Sequence, residues 1–495
     1  MSRFTFDTQP PFRLLSDSQV GSIHQTALEV LEQTGVTFDC PEALEILAEH
    51  GARVDFQRGL AKLPPEMVVK AIEQTPETVR LYDREGNLAA DLAGNQVYFD
   101  PGSACIRFME SDGKTVRESR AEDLRKISLV NDAMQNIKLQ STAVVANDVP
   151  KVIADSYRLY ILLQTSPKAI ITGAFSVHGV DDMRDLLAAA VGGYEELAAR
   201  PRAVFDICPS PPLKWTNISS HNIIDCARYL LPIETVSMPM PGAASPATLA
   251  GSLVVHTAET LSAIVLAQCV RPGAPVVYGG APVVFEMRFG TTPMSAIEAT
   301  MIGAGYAQIA KYYGLPCHHY TGLSDSKQVD VQAGLETAMG AMLGAMAGIN
   351  VISGAGALDF VGCQSLEKLA IDNELCGMVL RLLRGVEVTG DTLAKDLINE
   401  LGPGGDYLAT GHTLNWFKKE LFIPSLIIDR RERKNWEAHG AKGSFEHARE
   451  TVARVLANHR PTPLAENRAH HLDEVAQEIV RRRGVAESLP LGPVK

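Results

Sequence analysis

The feature that most constrains this chain is a regular alternation of two patterns through its central portion. Short runs rich in β-branched and apolar residues fall at 97–100, 137–145, 168–175, 203–208, 233–238, 274–279, 315–320 and 350–354. Their starts recur about every 36 residues, with a helical stretch in each gap. Leu249, Leu253, Val254, Ala258, Leu261 and Val265 give one such stretch an apolar side; Ile297, Met301, Ala304 and Ala307 give another. Strand and helix in strict succession predict parallel strands with helices outside, and eight such units suit a closed barrel. An open doubly wound sheet shares this alternation, but the Gly-x-Gly-x-x-Gly fingerprint expected after its first strand is absent. The expected fold is therefore α/β, a TIM-like (β/α)8 barrel with an N-terminal helical cap and a C-terminal helical extension.

The boundaries follow from the flanks. Residues 1–95 read as the cap, with an amphipathic run from Ser16 through Leu31 that Gly35 stops. A second short helix leaves Pro41 with Leu44, Ile46 and Leu47 as its stripe, and a third begins after Pro64 and Pro65. Residues 78–97 read as short strands and turns around Arg84-Glu85-Gly86-Asn87. Residues 96–385 hold the barrel. Residues 386–495 form an extension that packs on the barrel or serves in oligomerisation; its loop Gly402–Gly405 lacks the Gly-Lys-Ser/Thr ending of a P-loop.

Composition excludes several function classes. An apolar content of 46% with 21% charged residues is that of a chain with a large core. A formal net charge of −12 argues against nucleic-acid and anionic-membrane partners, which select basic surfaces. The eight cysteines are scattered with no Cys-x-x-Cys pair, as expected of reduced thiols in the cytoplasm. The N-terminal stretch has no apolar core long enough for a signal peptide. Residues 338–363 resemble a membrane span in polarity but are built of Gly, Ala and Met, so a buried helix and strand are expected there.

In a parallel barrel, chemistry sits at the C-terminal ends of the strands. Tyr98 and Asp100 share a face of the first strand by alternation. Phe175 ends the third, Phe285, Arg288 and Phe289 follow the sixth, and Phe360 follows the eighth. The seventh ends Cys317-His318-His319-Tyr320, ahead of Asp325 and Lys327. Neighbouring strand residues point to opposite faces, so Cys317, His318 and His319 cannot all ligate one metal, and no metal is assigned. Aromatic rings with a few carboxylates suit a small cation. A quaternary ammonium donates no hydrogen bonds and is held by ring faces and counter-charge, at about 0.5–2 kcal/mol per ring.

Four long segments carry a family resemblance: SMPMPGAASPATLAGSLVVHTAETLSAIVLAQCVRPGAPVVYGG (237–280), GLSDSKQVDVQAGLETAMGAMLGAMAGINVI (322–352), SLEKLAIDNELCGMV (365–379) and GPGGDYLATGHTL (402–414). On these the chain resembles the trimethylamine methyltransferase family of corrinoid-dependent enzymes. The resemblance implies a barrel whose mouth docks a separate corrinoid protein, whose cobalamin, as Co(I), takes the substrate methyl group. No Asp-x-His-x-x-Gly of a corrinoid carrier is present, so the cobalamin is expected on the partner.

One departure is informative. Trimethylamine-using members of the family carry pyrrolysine inside the barrel, whereas only ordinary residues occupy the corresponding region, near 324–330. A quaternary ammonium already has a good leaving group, because loss of the methyl releases a neutral amine. Positioning and desolvation can then suffice. The expected substrate is glycine betaine, giving dimethylglycine, with proline betaine, carnitine and γ-butyrobetaine as alternatives and a non-catalytic betaine-binding subunit as a rival. Under that expectation Tyr98, Asp100, Phe175 and Phe360 hold the ammonium, and His319 or Arg288 the substrate carboxylate. Tyr320 lines the site, while His319 and Asp325 are the catalytic candidates. Lys327 is expected to pair with Asp325 or Asp330, and the chain to be a homo-oligomer.

Overall fold

The computed structural model describes residues 12–486. Eight parallel strands form one sheet: β1 (Tyr98–Asp100), β2 (Gln140–Ser141), β3 (Ile170–Thr172), β4 (Ala203–Ile207), β5 (Ile233–Ser237), β6 (Val276–Gly280), β7 (Cys317–His319) and β8 (Val351–Ser353). β8 pairs with β1 in register Val351–Tyr98 and Ser353–Asp100. The Leu139 N–H donates to the Phe99 carbonyl at 3.1 Å, joining β1 to β2 and closing the ring. Each strand is followed by a helix: α1 (Ala121–Ala133), α2 (Ala154–Thr165), α3 (Gly179–Val191), α4 (Asn217–Tyr229), α5 (Leu249–Val270), α6 (Ile297–Tyr312), α7 (Val331–Met346) and α8 (Leu366–Leu383). Every strand run read from the sequence contains or overlaps one of these strands. The structured portions are shorter, because a barrel needs ladder bonds only where strands run side by side.

Inward side chains form two layers of opposite character. The layer at the N-terminal ends of the strands is apolar: Leu139, Ile171, Val204, Val277 and Val351, with Tyr98 against them. A hairpin of Val79–Tyr82 and Leu88–Leu92 closes that end, sending Val79, Leu81, Ala90 and Leu92 into the same cluster. The layer above is polar and includes Asp100, Glu234, His318 and Ser353, all buried. An apolar floor under polar groups keeps water out from below.

The cap begins with helix Asp17–Gln33, whose Ser16 and Gln19 form a reciprocal capping box. Val20, Ile23, Ala27 and Leu31 bury its inner face, and with helix Pro65–Gln74 it packs against α5. That contact explains α5 itself, a 22-residue helix long and apolar enough to cross a membrane, with 78% of its most apolar stretch buried in the protein. It is apolar all round because strands lie on one side and the cap on the other.

In the extension, helix Ser444–Asn458 packs on α8 and α1, and helix Glu466–Arg482 on α2 and α3. Arg482 and Arg483 fix the latter to Asp182 of α3 at 2.6 and 2.7 Å. Residues 1–11, on which most of the signal-peptide reading rests, and 487–495 lie outside the described residues.

Candidate active site

The polar layer is one connected cluster drawn from five strands. Ser353 Oγ donates to Asp100 Oδ2 at 2.5 Å, and the Gly102 N–H donates to Asp100 Oδ1 at 2.6 Å. His318 Nε2 lies 2.8 Å from the same Ser353 oxygen, and its Nδ1 lies 2.8 Å from Glu234 Oε1. Glu234 is the cross-strand partner of Asp206, so the two carboxyls lie side by side in the layer. The Tyr320 hydroxyl donates to Asp206 Oδ2 at 3.0 Å and accepts the Ser103 N–H at 3.1 Å. Its ring meets the His318 imidazole edge-on, 4.9 Å between centroids.

Burial sets the protonation of this cluster. It pushes Asp100 up to about 7 and Glu234 up to about 8. It also raises Asp206 well above the carboxylate range, reinforced by the neighbouring Glu234 charge. Burial lowers His318, favouring the neutral imidazole. With both groups favouring their neutral forms, the short His318–Glu234 contact is not an ion pair, and neither His318 Nδ1 nor Glu234 Oε1 finds a hydrogen-bond partner among the described residues. One donor pattern satisfies the remaining links: His318 Nε2–H to Ser353 and Ser353 O–H to Asp100.

Glycine makes room for this arrangement. A Cβ on Gly279 of β6 would stand 2.6 Å from the Thr235 carbonyl oxygen, 3.0 Å from His318 Nδ1 and 3.2 Å from Glu234 Cγ. Asp206 is half-buried and Cys208, two residues on, is exposed, so the cluster reaches the mouth beside β4. Around that mouth Ile106, Phe175, Met287 and Phe289 stand exposed on loops following β1, β3 and β6.

Asp100 and Tyr320 are in the cluster, as the sequence predicts. The other predicted residues are not. Tyr98 faces inward but belongs to the apolar floor, its hydroxyl accepting the Asp91 N–H at 3.1 Å; two residues of strand separate it from Asp100 by about 6.6 Å. His319 points outward against α6, its ring 5.5 Å from that of Tyr306, so it cannot meet a substrate carboxylate inside the barrel. Phe175 is on the rim with Arg158 4.9 Å over its ring, and Phe360 has the Lys327 ammonium 3.9 Å over its ring. Each therefore already carries a cation of the protein. Arg288 is solvent-exposed and paired with Glu286 at 2.7 Å.

Asp325 is buried but accepts the N–H groups of Met294 and Ser295 at 3.0 and 2.8 Å, tying the β6–α6 loop to the β7–α7 loop. Lys327 donates to the Asp325 carbonyl at 2.7 Å and lies 3.9 Å from Asp359 Oδ1, so its partners are a backbone oxygen and Asp359 in place of the Asp325 or Asp330 carboxylate.

Asp206, Glu234 and Ser353 go unnominated by the sequence reading, and His318 enters it only at the end of the seventh strand as a weighed metal ligand. The available signal was an acid embedded in a β-branched run, as in Ile233-Glu234-Thr235-Val236 and Val204-Phe205-Asp206-Ile207. Such a residue is withdrawn from solvent in whole, as Glu234 is, or in part, as Asp206 is. Among the described residues no group of three His, Cys, Asp or Glu is arranged to hold a metal ion. A groove of about 620 Å³ between α3 and helix Glu466–Arg482 is lined by Asp185, Arg468, Glu478 and Arg482, at the end of α3 away from the mouth.

A closed parallel barrel with a polar, acid-rich layer at its C-terminal mouth defines an enzyme of the (β/α)8 class. The family model for trimethylamine methyltransferase (MTTB) matches residues 2–485, and the chain belongs to that family of corrinoid-dependent methyltransferases. It is 35% identical over 474 residues to trimethylamine methyltransferase MttB of Desulfitobacterium hafniense, covering 96% of this chain and 95% of that protein. It is 30% identical over 480 residues to a glycine betaine methyltransferase from another strain of that organism, covering 96% and 98%. Among solved structures, the monomethylamine methyltransferase MtmB of Methanosarcina barkeri superposes with a TM-score of 0.53 at 11% identity, over 98% of this chain and 91% of that one, which shows the shared fold.

Proposed function

We propose that this chain moves a methyl group from a small quaternary ammonium compound to Co(I) of a corrinoid on a partner protein. Glycine betaine, giving dimethylglycine, is the first substrate to test. One observation carries the choice of a cation: the polar layer of the barrel holds three carboxyls, and the charges bearing most on them are one another and His318. Among the described residues no lysine or arginine figures in the leading charges on them. A cation without hydrogens to donate is the guest such a cluster lacks, and the Tyr320 ring adds a face for its methyl groups.

The segment 324–330 supports the same reading. Ser324 bonds Glu336, Ser326 bonds Asp330, and Asp330 caps α7 by accepting the Ala333 N–H. These side chains build a turn and leave activation of the substrate to the substrate itself. The protein's part is to hold the ammonium, aim one methyl group at the mouth and exclude water; the apolar floor serves the last of these. The corrinoid, when presented, accepts the methyl. The exposed Ile106, Phe175, Met287 and Phe289 give its carrier an apolar rim to cover. We place the chain in the cytoplasm as a homo-oligomer.

The test mixes the protein with Co(I) cobalamin and glycine betaine, carnitine, γ-butyrobetaine, proline betaine, choline or trimethylamine, following methylcobalamin by absorbance. Turnover of at least one quaternary amine is expected. Turnover of trimethylamine alone would overturn the substrate class, and no transfer even with a cognate corrinoid protein would overturn the enzymatic reading.

A further inference from the structure

Three carboxyls packed into one buried layer raise the question of what their charge state becomes when a cation arrives, and the answer rests on the quaternary-ammonium reading above. Asp206 and Glu234 are the natural counter-charge. They are cross-strand partners on β4 and β5, and Asp206 is the member that reaches toward the mouth. The groups facing them are Asp100 from β1, Ser353 from β8, His318 and Tyr320 from β7 and its loop, and Cys208 beyond β4. With no lysine or arginine among these and His318 held neutral by burial, an empty barrel holds its carboxyls protonated, because an uncompensated buried carboxylate is costly.

We propose that the Asp206–Glu234 pair is the specificity determinant for a cationic head group, and that entry of the cation expels one proton from the pair. The O–H bond of one carboxyl breaks, the proton passes to a buffer base at the mouth through half-buried Asp206, and the carboxylate left behind faces the ammonium. No other bond changes and no oxidant or reductant is involved. Burial makes Asp206 and Glu234 weaker acids than usual, which agrees with protons being present at neutral pH to be released. A ligand of the same shape without the charge has no such effect. The pair therefore discriminates by charge where shape cannot.

The experiment is calorimetric titration of the intact protein at pH 6.5 in two buffers of different ionisation enthalpy. The probes are glycine betaine and 3,3-dimethylbutanoate, which replaces its nitrogen by carbon. Glycine betaine should release close to one proton per site, and its Kd should fall about tenfold per pH unit between pH 6 and 7. The butanoate should bind weakly with no proton release. In Asp206→Asn and Glu234→Gln the release should drop by half or more, and Asp206→Glu should restore it. Betaine binding with no proton exchange, or equal release with the butanoate, would overturn the inference and leave the methyltransferase reading standing. Absence of binding by any quaternary amine to folded protein would overturn both. If a variant fails to fold, the two-buffer comparison on the unaltered protein decides alone.

Discussion

Asp100 and Arg288 stood together in the sequence reading as substrate contacts, and their surroundings now separate them. Asp100 is fully buried and held by Ser353 and Gly102 at the centre of the polar layer. Arg288 stands in solvent with Glu286, and an exposed pair contributes little. Asp100→Asn is therefore expected to lower kcat/KM for a quaternary amine at least about tenfold. Arg288→Ala should stay within about twofold. A large loss in Arg288→Ala would move the substrate carboxylate back to the rim. Glu234 offers a test in stability. Burial raises it from its ordinary 4.5 to about 8, so the native state keeps a proton the unfolded chain gives up above that ordinary value. Stability from this group is full below about pH 4.5 and is lost as pH rises toward 8. Glu234→Gln should accordingly flatten the fall in Tm between pH 5.5 and 8 by a few degrees. An unchanged slope would mean that the group is ionised throughout.

At the level of elements, the barrel was legible because its signal is repeated. Each helix and strand restates the same period, so an error in one leaves the others standing. The site was less legible because it depends on parity and depth within three-residue strands. His318 and His319 are adjacent in sequence, yet one enters the barrel and the other packs against α6. Tyr98 and Asp100 share a face, yet one belongs to the floor and the other to the polar layer. Alternation fixes the sides of a strand relative to each other; only the closed ring says which side is inside and how deep each residue lies. The packing role of His319 can be measured. A Cβ on Gly303 of α6 would stand 2.3 Å from its ring, so Gly303→Ala should cost about 1–3 kcal/mol of stability by overpacking. His319→Ala should relieve much of that cost in the double variant while leaving kcat near the original value. A loss of kcat with stability intact would restore His319 as a catalytic candidate.

Across the whole molecule, the surface left uncovered points to a second copy. The outer face of α7 exposes Val331 at 78%, with Leu335, Met339 and Met342 along the same helix. The segment 386–426 exposes Val386, Val388, Leu393, Leu408 at 82%, Leu414 and Leu421, although helices on both sides of it pack firmly on the barrel. Large apolar side chains standing in water over so much of one arm are costly for a monomer and ordinary for an assembly. The acidic net charge makes a nucleic acid or an anionic membrane a poor cover. Light scattering on the purified chain is expected to give a mass that is a multiple of 53.5 kDa. Leu408→Asp, and separately Leu335→Asp, should shift it toward the single-chain mass with little change in helix content. If each variant keeps its assembly, these surfaces are not the contact. If the unaltered chain is monomeric at micromolar concentration, a second copy is not the cover, and protection of 386–426 from proteolysis on adding a corrinoid protein would point to that carrier in its place.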